Sequence, residues 1–178
     1  MAAPTDEQVV AVTVLGQDRP GIVADVTAAL AQLGGNLEDS TMTLLRGHFA
    51  MIVLVRTAAG ADRVEAALTS LTEGGELVVS ARVLPEQARA DQGGSAYVLR
   101  VHGADRPGIV AAITRAVCDH EANIVDLGTR LAEDLYVLVA EVVLPPGADP
   151  GVLEADLQRT AARLGVEVHL SPVDDDLL

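Results

Sequence analysis

The sequence predicts an α+β fold built from two βαββαβ units, each with a four-stranded antiparallel sheet and two helices on one face. The segment Asp18–Ala24 recurs unchanged as Asp105–Ala111, 87 positions later, and similar residues continue in the same register. Such a repeat indicates one structural unit that occurs twice. Within each copy, β-branched apolar runs alternate with stretches of helical periodicity, so each copy should contain both strands and helices.

The first copy, residues 8–85, contains six predicted elements separated by turn signals. Pro20 begins the first helix, because proline fits the first helical turn, and Gly34-Gly35 ends it. Gly47 marks a hairpin turn, and the strand after it is apolar on both faces, which is typical of a central strand. Asp62 is positioned to cap the second helix. The elements are Val9–Leu15, a helix from Pro20, Asn36–Arg46, His48–Thr57, a helix between Asp62 and Gly74, and Leu77–Leu84.

The second copy, residues 96–172, follows a polar linker at 86–95 and repeats the order of elements. Asp149 before Pro150 is a helix-start signal. Units of about 80 residues bury little surface alone, so we expect two ferredoxin-like units packed side by side, and a homo-oligomer. The elements are Tyr97–His102, a helix Pro107–His120, Asn123–Leu131, Leu135–Leu144, a helix Pro150–Leu164, and Val166–Leu170.

The predicted topology also indicates which segments of each unit lie next to each other. Right-handed crossovers place the first and third strands of each unit in the centre. We further expect the loop after the first strand and the start of the second strand to lie at the same end of the sheet. This arrangement predicts Asp18–Gly21 beside Asn36, and Asp105–Gly108 beside Asn123.

The repeated strand-to-helix loop has the chemistry needed to hold a small zwitterion. Gly21 and Gly108 would let a ligand approach the backbone, and free N–H groups at a helix start attract a carboxylate. Asp18 and Asp105 could bind an ammonium group or cap the helix. The side-chain amide of the repeated asparagine could contact either group of an amino acid. A helix start and cap without a ligand is the alternative for each residue alone, whereas their joint recurrence favours binding.

Composition argues against several classes of function. The net charge of −14 repels phosphate backbones, so direct binding to nucleic acid is not expected. The longest apolar run, Phe49–Val55, is too short to cross a bilayer, and Met1–Gln8 lacks a signal-peptide pattern. The single cysteine, Cys118, fits a cytoplasmic protein. The four histidines have no metal-ligand spacing and no catalytic motif is present, so we expect no metal, cofactor or catalysis.

These loop residues resemble those of the ACT domain, a βαββαβ module that senses amino acids. The segment Asn36–Met42 is similar to that of two-ACT proteins of the glycine-cleavage-system transcriptional repressor type. The strand–(D/N)RPG–helix–GxN–strand pattern occurs twice, at Gly16–Gly21 with Gly35-Asn36 and at Gly103–Gly108 with Ala122-Asn123.

The resemblance implies a regulator that binds glycine or serine in this loop, often at an interface between two ACT units, and acts through a protein partner. A detached regulatory subunit of an amino-acid or one-carbon metabolic enzyme is the alternative. Because the second copy has Glu121-Ala122 where the first has Gly34-Gly35, we expect the first copy to bind the ligand. The implied binding residues are Asp18, Pro20, Gly21, Ile22, Asn36, Asp105, Pro107, Gly108, Ile109 and Asn123.

Overall fold

A computed structural model describes residues 7–85 and 93–173 of the 178-residue chain. The two segments form two compact units, called the first unit and the second unit below. Residues 86–92 of the predicted linker lie outside the described residues, as do the first six residues and the acidic end from position 174.

The first unit follows the predicted βαββαβ order. Its strands β1 to β4 form one antiparallel sheet in the order β2-β3-β1-β4, so the first and third strands are central, as predicted. Arg46 and Gly47 both have positive φ, at 50° and 84°, which gives the β2–β3 hairpin the turn that suits a twisted ribbon. The elements are β1 (Gln8–Gln17), α1 (Ile22–Gln32), β2 (Asn36–Leu45), β3 (His48–Thr57), α2 (Ala61–Ala67) and β4 (Leu77–Val83).

The core of the first unit lies between the sheet and its two helices. Alternate residues of the central strands point into it: Val10, Val12 and Val14 of β1 are at most 1% exposed. Ile22, Val26 and Leu30 of α1 cover them at helical spacing. Each such side chain removed from water contributes about 1.5–3 kcal/mol, so the unit is held together by aliphatic burial.

The second unit repeats this architecture with the strand order β6-β7-β5-β8. Its core is again aliphatic, and Ile109, Ile113 and Val117 of the first helix are at most 2% exposed. The Asp149 side chain accepts a hydrogen bond of 2.9 Å from the Gly151 N–H, which confirms the predicted helix start. The elements are β5 (Ser95–Ala104), α3 (Ile109–Asp119), β6 (Asn123–Ala132), β7 (Leu135–Leu144), α4 (Pro150–Leu164) and β8 (Val166–Pro172).

Three predicted helix starts are wrong. Helix α1 begins at Ile22 rather than Pro20, and α3 begins two residues after Pro107, because the intervening glycine is left-handed and cannot be helical. Helix α2 is capped by Gly60 without a side-chain hydrogen bond, while Asp62 lies inside its first turn. The chain then forms a separate 3₁₀ turn at Thr69–Thr72, so the predicted single helix is shorter than expected.

Candidate functional site

The β1–α1 loop is shaped by glycines with two different roles. Gly16 makes close strand contact possible, because a Cβ at this position would overlap the backbone carbonyl of Glu76. Gly21 is the N-cap residue of α1 and has φ 94°, a left-handed conformation in which it exposes its backbone. The Asp18 N–H donates a 3.0 Å hydrogen bond to the Gly47 carbonyl, which ties the loop to the hairpin turn. The loop therefore has a fixed conformation on the surface of the unit.

The β5–α3 loop of the second unit has the same backbone conformation. Gly108 has φ 92° and caps α3. A Cβ on Gly103 would lie 2.8 Å from a methyl group of Val166, so this position too needs a residue without a side chain. The exact repeat in the sequence is thus matched by a repeated local structure.

The helix-capping alternative for the two aspartates is wrong. Neither α1 nor α3 receives a side-chain cap hydrogen bond. Asp18 and Asp105 are exposed, and within residues 7–85 and 93–173 neither side chain has a hydrogen-bond or ion-pair partner. Both carboxylates are consequently available to a ligand at the surface.

The predicted contact between the loop and the asparagine is wrong within each unit. Asn36 lies opposite Arg56, which in turn lies opposite Val9 at the beginning of β1, whereas Asp18 follows the end of β1. At about 3.3 Å per residue these positions are about 30 Å apart. In the second unit, Asn123 pairs with Val143, which pairs with Ala96 at the far end from Asp105, so the same separation applies.

The other predicted binding residues divide into exposed and buried positions. Pro20, Gly21, Pro107 and Gly108 are exposed on the loop surfaces. In contrast, Ile22 and Ile109 are 1% and 2% exposed and belong to the cores. For all ten residues, a role in ligand binding stays a prediction.

The arginines beside the two loops are in different electrostatic states. Both terminal nitrogens of Arg19 donate to the same oxygen of Asp25 at 3.1 Å. Arg106, its counterpart in the repeat, is exposed and has no hydrogen-bond or ion-pair partner among the described residues. The two loops therefore share a backbone conformation and differ in whether the arginine is ion-paired.

A concavity of about 340 Å³ lies at the loop of the second unit. Tyr136 of β7 lines it and was not among the predicted site residues, although the predicted antiparallel pairing of the first and third strands already places the start of the third strand beside this loop. The lining residues are Asp105, Arg106, Gly108, Ile109, Val110, Ala111 and Tyr136. The concavity thus combines one carboxylate, one guanidinium and a partly apolar wall.

Other polar features of the described residues do not form a second candidate site. The His120 ring lies 3.2 Å from an Asp156 carboxylate oxygen, and this hydrogen bond, together with Arg159, lowers the pKa of Asp156. Residues 7–85 and 93–173 contain no cluster of three or more His, Cys, Asp or Glu side chains able to hold a metal ion. No helix in these segments is long and apolar enough to cross a bilayer.

Comparison with known proteins identifies the family. The ACT domain model matches residues 8–80 and 96–171, which together make up most of the chain. The chain belongs to the ACT domain family. The βαββαβ order, the four-stranded antiparallel sheets and the repeated loop all agree with this assignment.

Two of the relatives of this ACT protein match nearly its whole length, and a third matches about three quarters of it. The glycine cleavage system transcriptional repressor of Escherichia coli is 28% identical over 171 residues, which cover 92% of this chain and 89% of that protein. A crystal structure of an unknown protein from Galdieria sulphuraria is 32% identical, with a TM-score of 0.81 and coverage of 95% and 100%. A bifunctional uridylyltransferase/uridylyl-removing enzyme of Caulobacter vibrioides is 28% identical over 73% of this chain and 17% of the enzyme. A regulatory ACT role follows from these relationships.

Proposed function

We propose that this chain is a non-catalytic sensor of a small amino acid, with glycine or serine as the ligand, that controls transcription or metabolism through a protein partner. The observation that carries the proposal is the repeated loop. In both units an unpartnered carboxylate stands beside a left-handed glycine and a helix start that no side chain caps. An ammonium group suits the carboxylate, and a carboxylate suits the free N–H groups.

The size and charge of the second-unit concavity support a small ligand. Its volume of about 340 Å³ lies at the lower end of ligand pockets, which span roughly 300–1,000 Å³. Asp105 and Arg106 supply opposite charges within it, as the two ends of a zwitterion require. A ligand without one of the two charges would leave a side chain uncompensated.

The net charge supports action through a protein and not through direct contact with DNA. At −14 the chain repels a phosphate backbone over distances of about a Debye length, roughly 8 Å at physiological salt. The similarity to a transcriptional repressor is compatible with this route when a separate partner contacts the DNA.

A regulatory subunit of an enzyme is a second candidate. It is favoured by the uridylyltransferase relative, in which the similar stretch occupies 17% of a much longer enzyme. Affinity purification of the tagged full-length chain, with and without glycine, separates the two candidates. Recovery of a DNA-binding protein supports the first candidate, and recovery of a metabolic enzyme supports the second.

Calorimetric titration of the full chain with glycine, serine and the remaining amino acids tests the sensor itself. We expect binding of at least one small amino acid, and a loss of about tenfold or more in affinity when Asp18 and Asp105 are both changed to Asn, because hydrogen bonds to charged groups contribute about 1.5–3 kcal/mol. Asp62→Asn, which removes an exposed charge from α2, is the matched control. A folded protein that binds none of the amino acids would refute the proposal.

A further inference from the structure

The two repeated loops differ most in the state of their arginine. Arg19 reaches along the start of α1 and forms a double hydrogen bond with Asp25 at 3.1 Å, with a further contact of 3.3 Å from Nη1 to the Pro20 carbonyl. Arg106 has no partner among the described residues and lines the concavity instead. The same sequence motif therefore presents an ion-paired cation in one unit and an unpaired cation in the other.

Two substitutions between the repeats account for this difference. The position of Asp25 is taken by Ala112 in the second unit, so Arg106 has no carboxylate at the corresponding place in α3. Gly16 pairs with Leu77 and Gly103 with Val166, which makes Glu76 and Gly165 equivalent. The missing side chain at Gly165 leaves room for the Arg106 guanidinium, since a Cβ there would lie 3.0 Å from Nη1.

The wall of the concavity is also specific to the second unit. Tyr136 occupies the position that Phe49 has in the first unit, one residue into the third strand. Phe49 is 2% exposed and belongs to the core, whereas Tyr136 is half-buried and faces the concavity. A phenol in place of a phenyl ring adds a hydrogen-bonding group beside the arginine.

We propose that Arg106 is the carboxylate-binding residue of the amino-acid site and that the concavity of the second unit, rather than the loop of the first, is the primary site. This inference rests on the proposed sensor function. The planar guanidinium presents paired N–H donors that match a carboxylate. Asp105 lines the same concavity and is placed to accept the ammonium group of the same ligand.

The first loop is a weaker site for a physical reason. A ligand carboxylate there has to displace Asp25, which is tethered six residues from Arg19 and so competes at a high effective concentration. The arrangement reverses the expectation, drawn from the sequence pattern alone, that the first copy binds the ligand. The ion pair of Arg19 with Asp25 favours the second unit as the primary site, whereas the pattern of glycines favours the first.

The test is an NMR titration of the ¹⁵N-labelled full chain with glycine and L-serine. Amide shifts are expected at Gly108–Ala111 before any at Gly21–Ala24. Arg106→Gln should raise the dissociation constant about tenfold or more, while the matched variant Arg19→Gln should leave it within about twofold.

Two further variants move the ion pair between the repeats. Ala112→Asp gives Arg106 the partner that Arg19 has, and should weaken binding by up to about fivefold although the guanidinium remains, because an exposed ion pair competes only modestly. Cys118→Asp adds the same charge at an exposed position further along α3 and should have little effect. Asp25→Ala frees Arg19 and should produce ligand-induced shifts at Gly21–Ala24.

The outcomes separate this inference from the function on which it rests. If no amino acid binds the folded wild-type chain, the sensor proposal fails and the site assignment fails with it. If an amino acid binds and Arg106→Gln keeps wild-type affinity, or Arg19→Gln is the variant that loses binding, only the assignment to Arg106 is overturned. Unchanged amide spectra outside the loop show that each variant is folded.

Discussion

Gly103 of β5 offers a direct test of how the loop of the second unit is positioned. This glycine lies two residues before Asp105, and it pairs with Tyr136 on one side and with Val166 on the other. A Cβ at Gly103 would stand 2.8 Å from Cγ1 of Val166 and 3.0 Å from its Cα, closer than ordinary contact. Gly103→Ala therefore has to move the start of β8 away from β5.

The size of the effect follows from two opposing contributions. Val166 is 8% exposed and part of the core, so the added methyl overpacks a filled site, which typically costs about 1–3 kcal/mol. Replacing glycine with alanine also restricts the unfolded chain, which returns about 0.4–1 kcal/mol. We expect a net loss of about 1–2 kcal/mol in the free energy of unfolding, which in a unit of this size lowers the melting temperature by about 4–16 °C.

Gly128 of β6 is the matched control, because a Cβ there meets no atom within 4 Å and its φ is not positive. Gly128→Ala should be neutral or stabilise by up to about 1 kcal/mol. Urea denaturation followed by tyrosine fluorescence reports on the second unit, which contains both tyrosines, Tyr97 and Tyr136. If Gly103→Ala matches Gly128→Ala within about 0.5 kcal/mol, the close strand contact is not what requires glycine.

Three other changes test individual side-chain interactions. Thr57 is 1% exposed, and its hydroxyl accepts a hydrogen bond of 3.1 Å from the Ala59 N–H. Thr57→Val should therefore lower the free energy of unfolding by about 1–3 kcal/mol in urea denaturation, whereas Thr57→Ser should retain most of the stability. Asp149→Ala removes the cap of α4 and should cost about 1 kcal/mol, seen as a lower urea midpoint. The hydrogen bond from His120 lowers the pKa of Asp156 in the folded protein below the ordinary value of 3.8. The ionised carboxylate therefore stabilises the fold at pH values above 3.8, and this stabilisation is lost as the pH falls through the lower pKa of the folded state. Wild type should therefore exceed Asp156→Asn in urea midpoint at about pH 5 and converge with it in strong acid; a constant difference would contradict this.

Much of the fold could be predicted because the same pattern of strands and helices occurs in both copies of the repeat. The apolar run of β3 and the right-handed crossover rule identify the central strands, and the repeat confirms the order of elements. Helix starts were harder, since a proline followed by glycine is compatible with two backbone conformations. The left-handed φ of Gly21, 94°, decides between them, and no side-chain pattern encodes it.

The composition of the candidate site was less predictable than its location. The loop was found from its repetition, but the state of its arginines depends on residues outside the repeated segment. Asp25 follows that segment by one position, and Gly165 lies 59 positions after Arg106. Tertiary packing brings such residues to the loop, so their influence could be recognised only from coordinates.

The distance between Asn36 and the loop of its own unit limits how a complete site can form. The helix that follows β1 returns across the sheet, so β2 starts where β1 started and runs parallel to it with β3 between them. A single small ligand therefore cannot touch both Asp18 and Asn36 of one unit, which are about 30 Å apart. Either the asparagine has no part in binding, or it completes a site on an ACT unit other than its own. If that unit belongs to a second copy of the chain, dilution into the monomeric state should abolish amino-acid binding, and Asn36→Ala should weaken binding without altering the loop of its own unit.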